Sequence, residues 1–583
     1  MGAKGAVKPS GDRRRNPEDH GLDMALIAKM RNLPRRVAAG NLGTFFVYLT
    51  VLLLVFIAHS SGISVLQRQK FDQDEFQHLH SAWYISKGFL PYRDFFQHHT
   101  PLYYFLLAPF FQFFNVETNG ADSIAFLYFS RSLMWLLSGV ILGCTFWLGK
   151  LWKNTFVGCI AVLLLVTTQA YWTKSLEIRP DPLAVAFWLL HLILIIRGVS
   201  PHRQGYEKRR MFAWSGVFLA LSFLALQKIV YAFPGLAVGI SWYLWSPSAP
   251  ADRSVRYANF ACQLVGFIVP IVSILTYFYL VGGLSEFIRY NFLFNLGLRG
   301  LSTYAGLYQL VYANPYLTFF GISGLLCSLP LLMNRHSVWD GDFILLPGTF
   351  SVLLGVFVIP VPYEQYYLLF LPLVALFAAA FFAEFVAKLA DLRYRLIVWQ
   401  WIPIVATICF AVMTGLMLLA LGKQSQWPPL LVASYWFCAL LGCIVLIFFR
   451  MPAIAIIFFL VTITLPPLKR LHEAATLLDM TPQLEEIRYV IENTTPADSV
   501  MDGYDGSGVY RPNAHYFWML PWNVRDRLSK KDKQGILKGL QNGSVAPKLI
   551  LVDENLQDLL PGINKFAERY YEPVGKGFIW IRK

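Results

Sequence analysis

FDQDEFQHLHSAWYISKGFLPYRDFFQHHTPLYYFLLAP, residues 71–109, holds four carboxylates and four histidines, side chains that can act as acids and bases. It directly follows the first long apolar segment, residues 42–63. Charged groups beside lipid are costly, so in membrane proteins they usually serve a function. We therefore interpret residues 64–122 as an active-site loop and the rest of the chain as its scaffold. The side chains concerned are Asp72, Asp74, Glu75, Asp94, His78, His80, His98 and His99.

The composition of the whole chain is that of a membrane protein. Of its 583 residues, 56% are hydrophobic and 15% are charged, against about 25% charged residues in a typical soluble domain. The apolar residues form runs rather than the alternating pattern of a membrane β-barrel. The sequence predicts a polytopic α-helical membrane protein with about 13 transmembrane helices. They lie near residues 42–63, 124–148, 155–173, 182–197, 212–226, 229–245, 258–281, 313–333, 343–360, 366–387, 398–421, 429–449 and 452–467.

The distribution of basic residues predicts the orientation in the membrane. The net charge is +15, and lysine and arginine concentrate between apolar segments, which is typical of topology signals rather than of nucleic-acid binding. Residues 1–41 form a basic arm that we place in the cytoplasm, either as a disordered arm or with a surface helix over Leu22–Leu33. An odd number of spans then places the C-terminus outside. An error of one span between residues 200 and 260 would reverse that placement.

The composition changes after Pro466-Pro467. Residues 42–469 form the predicted transmembrane domain, and residues 470–583 are mixed and polar. LEEIRYVIENT, residues 484–494, has the pattern of an amphipathic helix. Lys548–Val552 and Phe578–Arg582 have the pattern of short strands. We therefore predict a small α/β domain outside the membrane, packed over the helices.

Asp74 and Glu75 are the predicted catalytic pair. One carboxylate can serve as general base toward an acceptor hydroxyl or amine, and the other can orient a basic partner. In a partly dry cleft, repulsion between the two charges would raise one pKa toward neutrality, which suits a base. The alternative is an ordinary solvated loop charge.

The residues around this pair resemble a known family. Asp74–Tyr104 has the pattern D-E-F-x-H-x-x-x-A-W-Y-x-x-x-G-x-x-P-Y-R-D-F-F-x-H-H-T-P-L-Y-Y. It resembles the first extracytoplasmic loop of GT-C glycosyltransferases, in the bacterial branch related to protein O-mannosyltransferases and the lipid A aminoarabinose transferase. Weaker likenesses follow in the family's order. Glu177–Asp181 resembles the R-x-D at the outer end of the fourth helix, Gln227-Lys228 falls where relatives often carry lysine, and 363–373 resembles a Q-Y-Y…P-L helix entry.

The resemblance implies transfer of a sugar, with inversion, from a polyprenyl-phosphate donor such as undecaprenyl phosphate. It implies Asp74 as the base and Glu75 as its supporting acid. Asp72 is the alternative base, because Asp72 and Asp74 would lie on the same side of an extended segment. The leaving phosphate needs positive charge. Candidates are Arg93, Arg131, Lys174, Arg179 and Lys228.

Several of these residues have alternative interpretations. Arg131 can extend to the membrane interface instead, and Lys174 and Arg179 can be interface anchors. His98-His99 stands where relatives carry glutamate-lysine, which leaves open a hydrogen bond to phosphate or sugar, a divalent metal or a structural role. No cofactor is established from the sequence. Asp181 and Tyr366 complete the predicted substrate-binding set.

The resemblance therefore implies a glycosyltransferase of a bacterial inner membrane, with its C-terminal domain in the periplasm. Its partners would be the lipid-linked donor, membrane lipids, and an acceptor glycan, lipid or protein, with no nucleic acid. The rival hypothesis is a transporter or flippase of a lipid-linked glycan. Transporters often show paired halves with broken helices, and the sequence has no such repeat.

Overall fold

The computed structural model describes residues 41–200, 205–246, 252–296, 307, 310–311, 314–333, 341–359, 362–391, 452–477, 479–574 and 579–583. The predicted basic arm lies outside these residues except for its last position, and so does the surface helix at Leu22–Leu33. The spans predicted near residues 398–421 and 429–449 also lie outside the described residues.

Between residues 41 and 477 the described parts of the chain are mainly helical, and most of the apolar helices coincide with predicted spans, although Leu102–Phe113 does not. Four of the described helices, at Asn41–Arg68, Gly120–Trp152, Pro180–Val199 and Arg253–Leu280, are long and apolar enough to cross a membrane. Shorter apolar helices accompany them, giving a multi-pass membrane protein; the total number of spans stays a prediction. In chain order the helices are α1 Asn41–Arg68, α2 Gln73–Ser86, α3 Leu102–Leu107, α4 Gly120–Trp152, α5 Thr155–Val166, α6 Gln169–Lys174, α7 Pro180–Val199, α8 Gly205–Ala225, α9 Phe233–Trp245, α10 Arg253–Leu280, α11 Leu284–Ile288, α12 Phe294–Leu296, α13 Pro315–Met333, α14 Asp342–Val358, α15 Leu371–Asp391 and α16 Pro452–Leu477.

The segment interpreted as a loop, residues 64–122, is largely helical. α1 continues to Arg68, and α2 begins at Gln73. Asp72 caps α2: its Oδ1 accepts from Asp74 N at 2.9 Å, while its own N–H donates to Glu75 Oε1 at 3.0 Å. This capping box stabilises the first helical turn. The expectation of an extended segment at Asp72–Asp74 is therefore wrong.

Three predicted spans contain a break at the same polar region of the fold. The span near 155–173 is divided between α5 and α6, with Thr167-Thr168 at the break. 3₁₀ helices precede α9 and α15, at Gln227–Ala232 and Glu364–Leu369. Helix ends leave backbone groups unpaired, so polar side chains collect there. These breaks provide the positions of Lys174, Lys228 and Tyr366.

Glycines allow α8 and α10 to cross at backbone contact. A Cβ built on Gly216 would lie 2.0 Å from the carbonyl oxygen of Gln263, and one on Gly266 would lie 2.0 Å from that of Ala213. Neither position has room for a side chain, because the backbones themselves touch. Small residues at helix crossings are the usual means of close packing within a membrane.

Gly216→Val should destabilise the protein by about 1–3 kcal/mol, because the added atoms must separate α8 from α10. Gly143→Val in α4 is the matched control, since a Cβ there meets nothing within 4 Å. The measurement is the thermal unfolding midpoint of each variant in the same detergent. Equal midpoints for the two variants would contradict the close crossing.

Residues 479–583, the C-terminal unit, combine helices with a small sheet. Its described strands form a four-stranded sheet in the order β1-β2-β4-β3, with β1 and β2 parallel and the other pairs antiparallel. β2 and β4 are the two strands expected from the sequence, and the first helix of the unit covers the expected amphipathic segment. The elements are β1 Val500–Met501, β2 Leu549–Leu551, β3 Tyr571–Val574, β4 Ile579–Arg582, α17 Thr481–Glu492, α18 Trp522–Arg525, α19 Lys530–Asn542, α20 Glu554–Leu559 and α21 Ile563–Tyr570.

The C-terminal unit packs directly on α2 and the chain that follows it. His80 on α2 contacts the carbonyl oxygen of Val509 at 2.6 Å and Asn513 Nδ2 at 2.8 Å. Trp518 Nε1 donates to the carbonyl oxygen of Phe96 at 2.9 Å. The two regions also share one hydrophobic core. The unit is therefore held against the segment that carries the predicted catalytic pair.

Candidate active site

Arg179 joins carboxylates from two separate parts of the chain. It precedes α7, and only 3% of its side chain is exposed. Its Nη1 donates to Asp74 Oδ2 at 2.8 Å, and its Nη2 lies 3.0 Å from Asp72 Oδ1. Its Nε donates to Glu177 Oε2. Because buried charges need such pairing, Arg179 is a fixed part of the protein's own network.

Lys174 belongs to the same network. Its Nζ lies 2.8 Å from Glu177 Oε1 and 3.9 Å from Asp72 Oδ2. The charges of Lys174 and Arg179 are thus directed at carboxylates of the protein. This arrangement does not support their predicted role at a leaving phosphate, nor that of simple interface anchors. Glu177, which mediates between them, is not among the candidate residues predicted from the sequence.

Asp74 and Asp72 have opposite pKa shifts. Burial disfavours the charged form of Asp74, but Arg179, His78 and a hydrogen bond from Tyr504 together hold its pKa below the usual value. Burial raises the pKa of Asp72, although Arg179 opposes this. The sequence predicts that repulsion within the Asp74-Glu75 pair raises the pKa of one of the two carboxylates; that of Asp74 is lowered, because a cation and hydrogen-bond donors lie around it.

Glu75 and Arg131 form a separate, fully buried pair. Arg131 Nε and Nη2 donate to the two carboxylate oxygens of Glu75 at 2.9 and 2.6 Å. Arg131 Nη1 also donates to the carbonyl oxygens of Leu66 and Gln69, at 3.1 and 2.6 Å, at the end of α1. Only 2% of the Arg131 side chain and none of the Glu75 side chain is exposed. The pair therefore connects α1, α2 and α4, and the Arg131 guanidinium is directed at protein oxygens inside the fold rather than at the membrane interface.

Tyr504 of the C-terminal unit reaches Asp74. Its hydroxyl donates to Asp74 Oδ1, and its backbone N–H donates to the Asp553 carboxylate. Tyr504 is not among the residues predicted from the sequence. It lies in DGYDGSG, residues 502–508, whose glycine and aspartate content indicates a turn, but no local pattern indicates contact with Asp74.

Buried polar atoms without partners lie near Asp74. Nδ1 of His98, Nδ1 of His99 and Oδ1 of Asp181 are buried and accept or donate no hydrogen bond within the described parts of the chain. The rings of His98 and His99 lie 4.2 Å apart, and those of His78 and His99 lie 5.3 Å apart. Buried polar atoms in native proteins normally have partners. These atoms therefore indicate a place for a polar ligand.

Lys228 is the candidate cation that differs from the others. Its Nζ lies 3.6 Å from the centre of the Tyr366 ring, and it forms no ion pair with the carboxylates that the structure describes. The preceding Gln227 donates to the carbonyl oxygen of His98 at 3.1 Å, which connects this 3₁₀ helix to the histidines. Burial lowers the pKa of Lys228 to about 8, although Asp181 and Asp74 oppose the shift.

The histidines in this region are neutral. Burial lowers the pKa of His78 to about 3 despite the nearby Asp74, and that of His98 to about 4. His78 Nδ1 lies 3.0 Å from the Tyr104 hydroxyl. In the described residues, no group of three or more histidine, cysteine, aspartate or glutamate side chains is arranged to hold a metal ion. We therefore assign hydrogen bonding, rather than charge, to these imidazoles.

Arg93 does not join this cluster. Its side chain is 43% exposed. It donates to Asp94 Oδ1 at 2.7 Å and to the carbonyl oxygen of Val281 at 2.9 Å. Arg93 therefore connects the segment after α2 to the end of α10 near the protein surface.

Solved structures share this fold at low sequence identity. ArnT from Cupriavidus metallidurans in the apo state matches with a TM-score of 0.61 at 14% identity, over 92% of this chain and 98% of that chain. The same protein bound to undecaprenyl phosphate matches with a TM-score of 0.59. The oligosaccharyltransferase of Archaeoglobus fulgidus in the apo form matches with a TM-score of 0.53 at 13% identity, over 91% of this chain and 74% of that chain.

These matches confirm the resemblance at the level of the fold. This chain shares the fold of both neighbours over most of its length. No family model matches the sequence, and no curated protein matches it either. The likeness therefore lies in the three-dimensional arrangement more than in the residues.

Proposed function

With the GT-C fold as the premise, we propose that this protein transfers a sugar from a polyprenyl-phosphate donor to an acceptor, with Asp74 as general base. The donor class is supported by the ArnT structure with bound undecaprenyl phosphate. The observation that carries the proposal is local. An ionised Asp74, fixed by Arg179, lies beside buried polar atoms that lack partners among the described residues.

Lys228 is the group we assign to the donor phosphate. When the bond between the sugar and the phosphate oxygen breaks, that oxygen gains negative charge, and a nearby cation stabilises it. Lys228 is suited to this because an aromatic ring, not a carboxylate, lies against its ammonium. The neutral His98 and His99 can add hydrogen bonds to phosphate or sugar oxygens. Asp181 and Tyr366 complete the proposed binding set.

Asp74 is the base we assign to the acceptor. The acceptor hydroxyl attacks the anomeric carbon on the face opposite the phosphate, its proton passes to Asp74, and the anomeric configuration inverts. Asp74 is preferred to Asp72 because it interacts electrostatically with His78, His98 and Lys228. The charged neighbours of Asp72, apart from Asp74, are those of the network around Arg179. Geometry thus takes precedence over the raised pKa of Asp72.

The wider setting belongs to the same proposal. We place the protein in a bacterial inner membrane, with the site and the C-terminal unit on the periplasmic side and the N-terminus in the cytoplasm. The acceptor is a glycan, a lipid or a protein. The rival function, movement of an intact lipid-linked glycan, is favoured by no specific contact described above.

Purified protein in liposomes tests the proposal with radiolabelled lipid-linked sugars extracted from native membranes. A glycosyltransferase converts the label into a new product and releases polyprenyl phosphate, and the labelled product identifies the acceptor class. Movement of the intact donor across the bilayer without cleavage would overturn the proposal in favour of a flippase.

The Lys228 assignment predicts an alkaline limit to activity. As the pH rises through about 8, Lys228 loses its proton, and kcat/KM for the donor should fall about tenfold for each further pH unit. kcat/KM reports the free enzyme, whereas a bound phosphate would raise this pKa and move the limit in kcat to higher pH. Lys228→Arg should remove the limit, because arginine stays charged.

Lys174→Arg is the control for this profile, because Lys174 is paired with Glu177. It should leave the alkaline limit in place. An unchanged limit in Lys228→Arg would contradict the assignment of Lys228 to the phosphate.

A further inference from the structure

We propose that the Tyr504 hydroxyl occupies the acceptor's place on Asp74, where it excludes water until an acceptor displaces it. This inference rests on the proposed function, since it takes Asp74 as the base. It assigns to the C-terminal unit a direct part in the choice between acceptor and water.

Apart from the contact with Tyr504, the side-chain hydrogen bonds to the Asp74 carboxylate engage one of its two oxygens, and the other is the oxygen that an incoming nucleophile would reach. Oδ2 accepts from Arg179 Nη1 at 2.8 Å, and Arg179 is itself fixed by Asp72 and Glu177. Oδ1 accepts from Tyr504. A general base must lie within hydrogen-bond reach of the proton that it takes. The phenol O–H therefore makes the contact with Oδ1 that an acceptor O–H would make.

The loop that carries Tyr504 is anchored on both sides of the side chain. The backbone N–H of Tyr504 donates to Asp553, and Asp553 Oδ1 also accepts from Leu556 N at 2.7 Å, at the start of α20. Farther along, the carbonyl oxygen of Val509 contacts His80 at 2.6 Å. Displacement of the hydroxyl from Asp74 therefore requires rotation of the half-buried Tyr504 side chain itself, with the backbone of the loop staying in place.

Occupation of Oδ1 has a chemical consequence. Water bound at this oxygen could give its proton to Asp74 and attack the anomeric carbon, which would break the sugar–phosphate bond and release free sugar and polyprenyl phosphate. A phenol on Oδ1 blocks this hydrolysis. An acceptor with further contacts to the site can displace the phenol, whereas a single water molecule would only replace one charge-assisted hydrogen bond by another and would lose the packing of the Tyr504 ring against the hydrophobic core.

Tyr504→Phe tests the inference without knowledge of the acceptor. With labelled lipid-linked sugars from native membranes as the only substrate, free sugar should be released about tenfold faster than by the wild type, because a hydrogen bond to a charged group is lost. Tyr516→Phe is the matched control: its hydroxyl also donates across the interface, to the carbonyl oxygen of Tyr92, but does not touch Asp74. It should leave hydrolysis unchanged.

The remaining outcomes separate the inference from the proposed function. In the double variant Asp74→Asn/Tyr504→Phe the extra hydrolysis should disappear, which a general loosening of the interface would not explain. If Tyr504→Phe releases free sugar at the wild-type rate while transfer still depends on Asp74, the inference is overturned and the proposed function is not. Full transfer by Asp74→Asn would instead overturn the proposed base.

Discussion

Asp74→Asn should lower the rate of sugar transfer by about 10²- to 10⁴-fold, the usual contribution of a general base. The amide has nearly the shape of the carboxylate, so Arg179 and Tyr504 keep hydrogen-bonding neighbours. The donor should still bind, because the phosphate is assigned to Lys228. The measurements are initial rates of transfer from labelled lipid-linked sugar, and binding of the same donor to the purified variant.

Asp72→Asn is the control for this result. Like Asp74→Asn, it removes one negative charge beside Arg179, since Asp72 Oδ1 lies 3.0 Å from Arg179 Nη2. Asparagine also caps helices as well as aspartate does, so α2 should keep its start. We expect its transfer rate to stay within about tenfold of the wild type, since it keeps the base. A larger loss of transfer in Asp72→Asn than in Asp74→Asn would make Asp72 the base.

Arg131→Met should destabilise the protein by about 3–5 kcal/mol, because it leaves the carboxylate of Glu75 buried without its cation. Glu75 would keep only the backbone N–H groups of Asp72 and Ile178, at 3.0 and 2.9 Å. The three carbonyl oxygens at the end of α1 would also lose their donor. The measurement is the free energy of unfolding by SDS titration in mixed micelles.

The double variant Glu75→Gln/Arg131→Met is the matched comparison. A neutral amide can accept the same backbone hydrogen bonds without a buried charge, so much of the lost stability should return. Normal stability of Arg131→Met together with loss of transfer would contradict the structural role and restore Arg131 as a phosphate ligand.

The helical framework was predictable because its signals are local. Apolar runs of membrane-spanning length indicate where most of the described helices lie, and polar residues at their ends marked Asp74, Arg179 and Lys228. The proximity of Asp74 to Arg179 follows from this framework, since both lie where the chain leaves an apolar helix. Charge alone did not show that Arg179 pairs with carboxylates while Lys228 lies on a tyrosine ring.

The different roles of Asp74 and Glu75 could not be read from a dipeptide. In a helix, consecutive side chains point about 100° apart, so Asp74 faces the site while Glu75 faces the buried Arg131. Interpreting residues 64–122 as a loop concealed this difference. Tyr504 was unpredictable for another reason: its partner Asp74 is 430 positions away, and only the assembled fold brings the two together.

The separation of these contacts along the chain also orders the assembly of the site during translation. Arg179 follows Asp74 by 105 positions, whereas Tyr504 follows it by 430. A ribosome therefore delivers the charge network more than 300 residues before the tyrosine. Until Tyr504 is synthesised, Asp74 can be held by Arg179 but lacks its second hydrogen-bond donor, so completion of the site is a late event relative to its charge network.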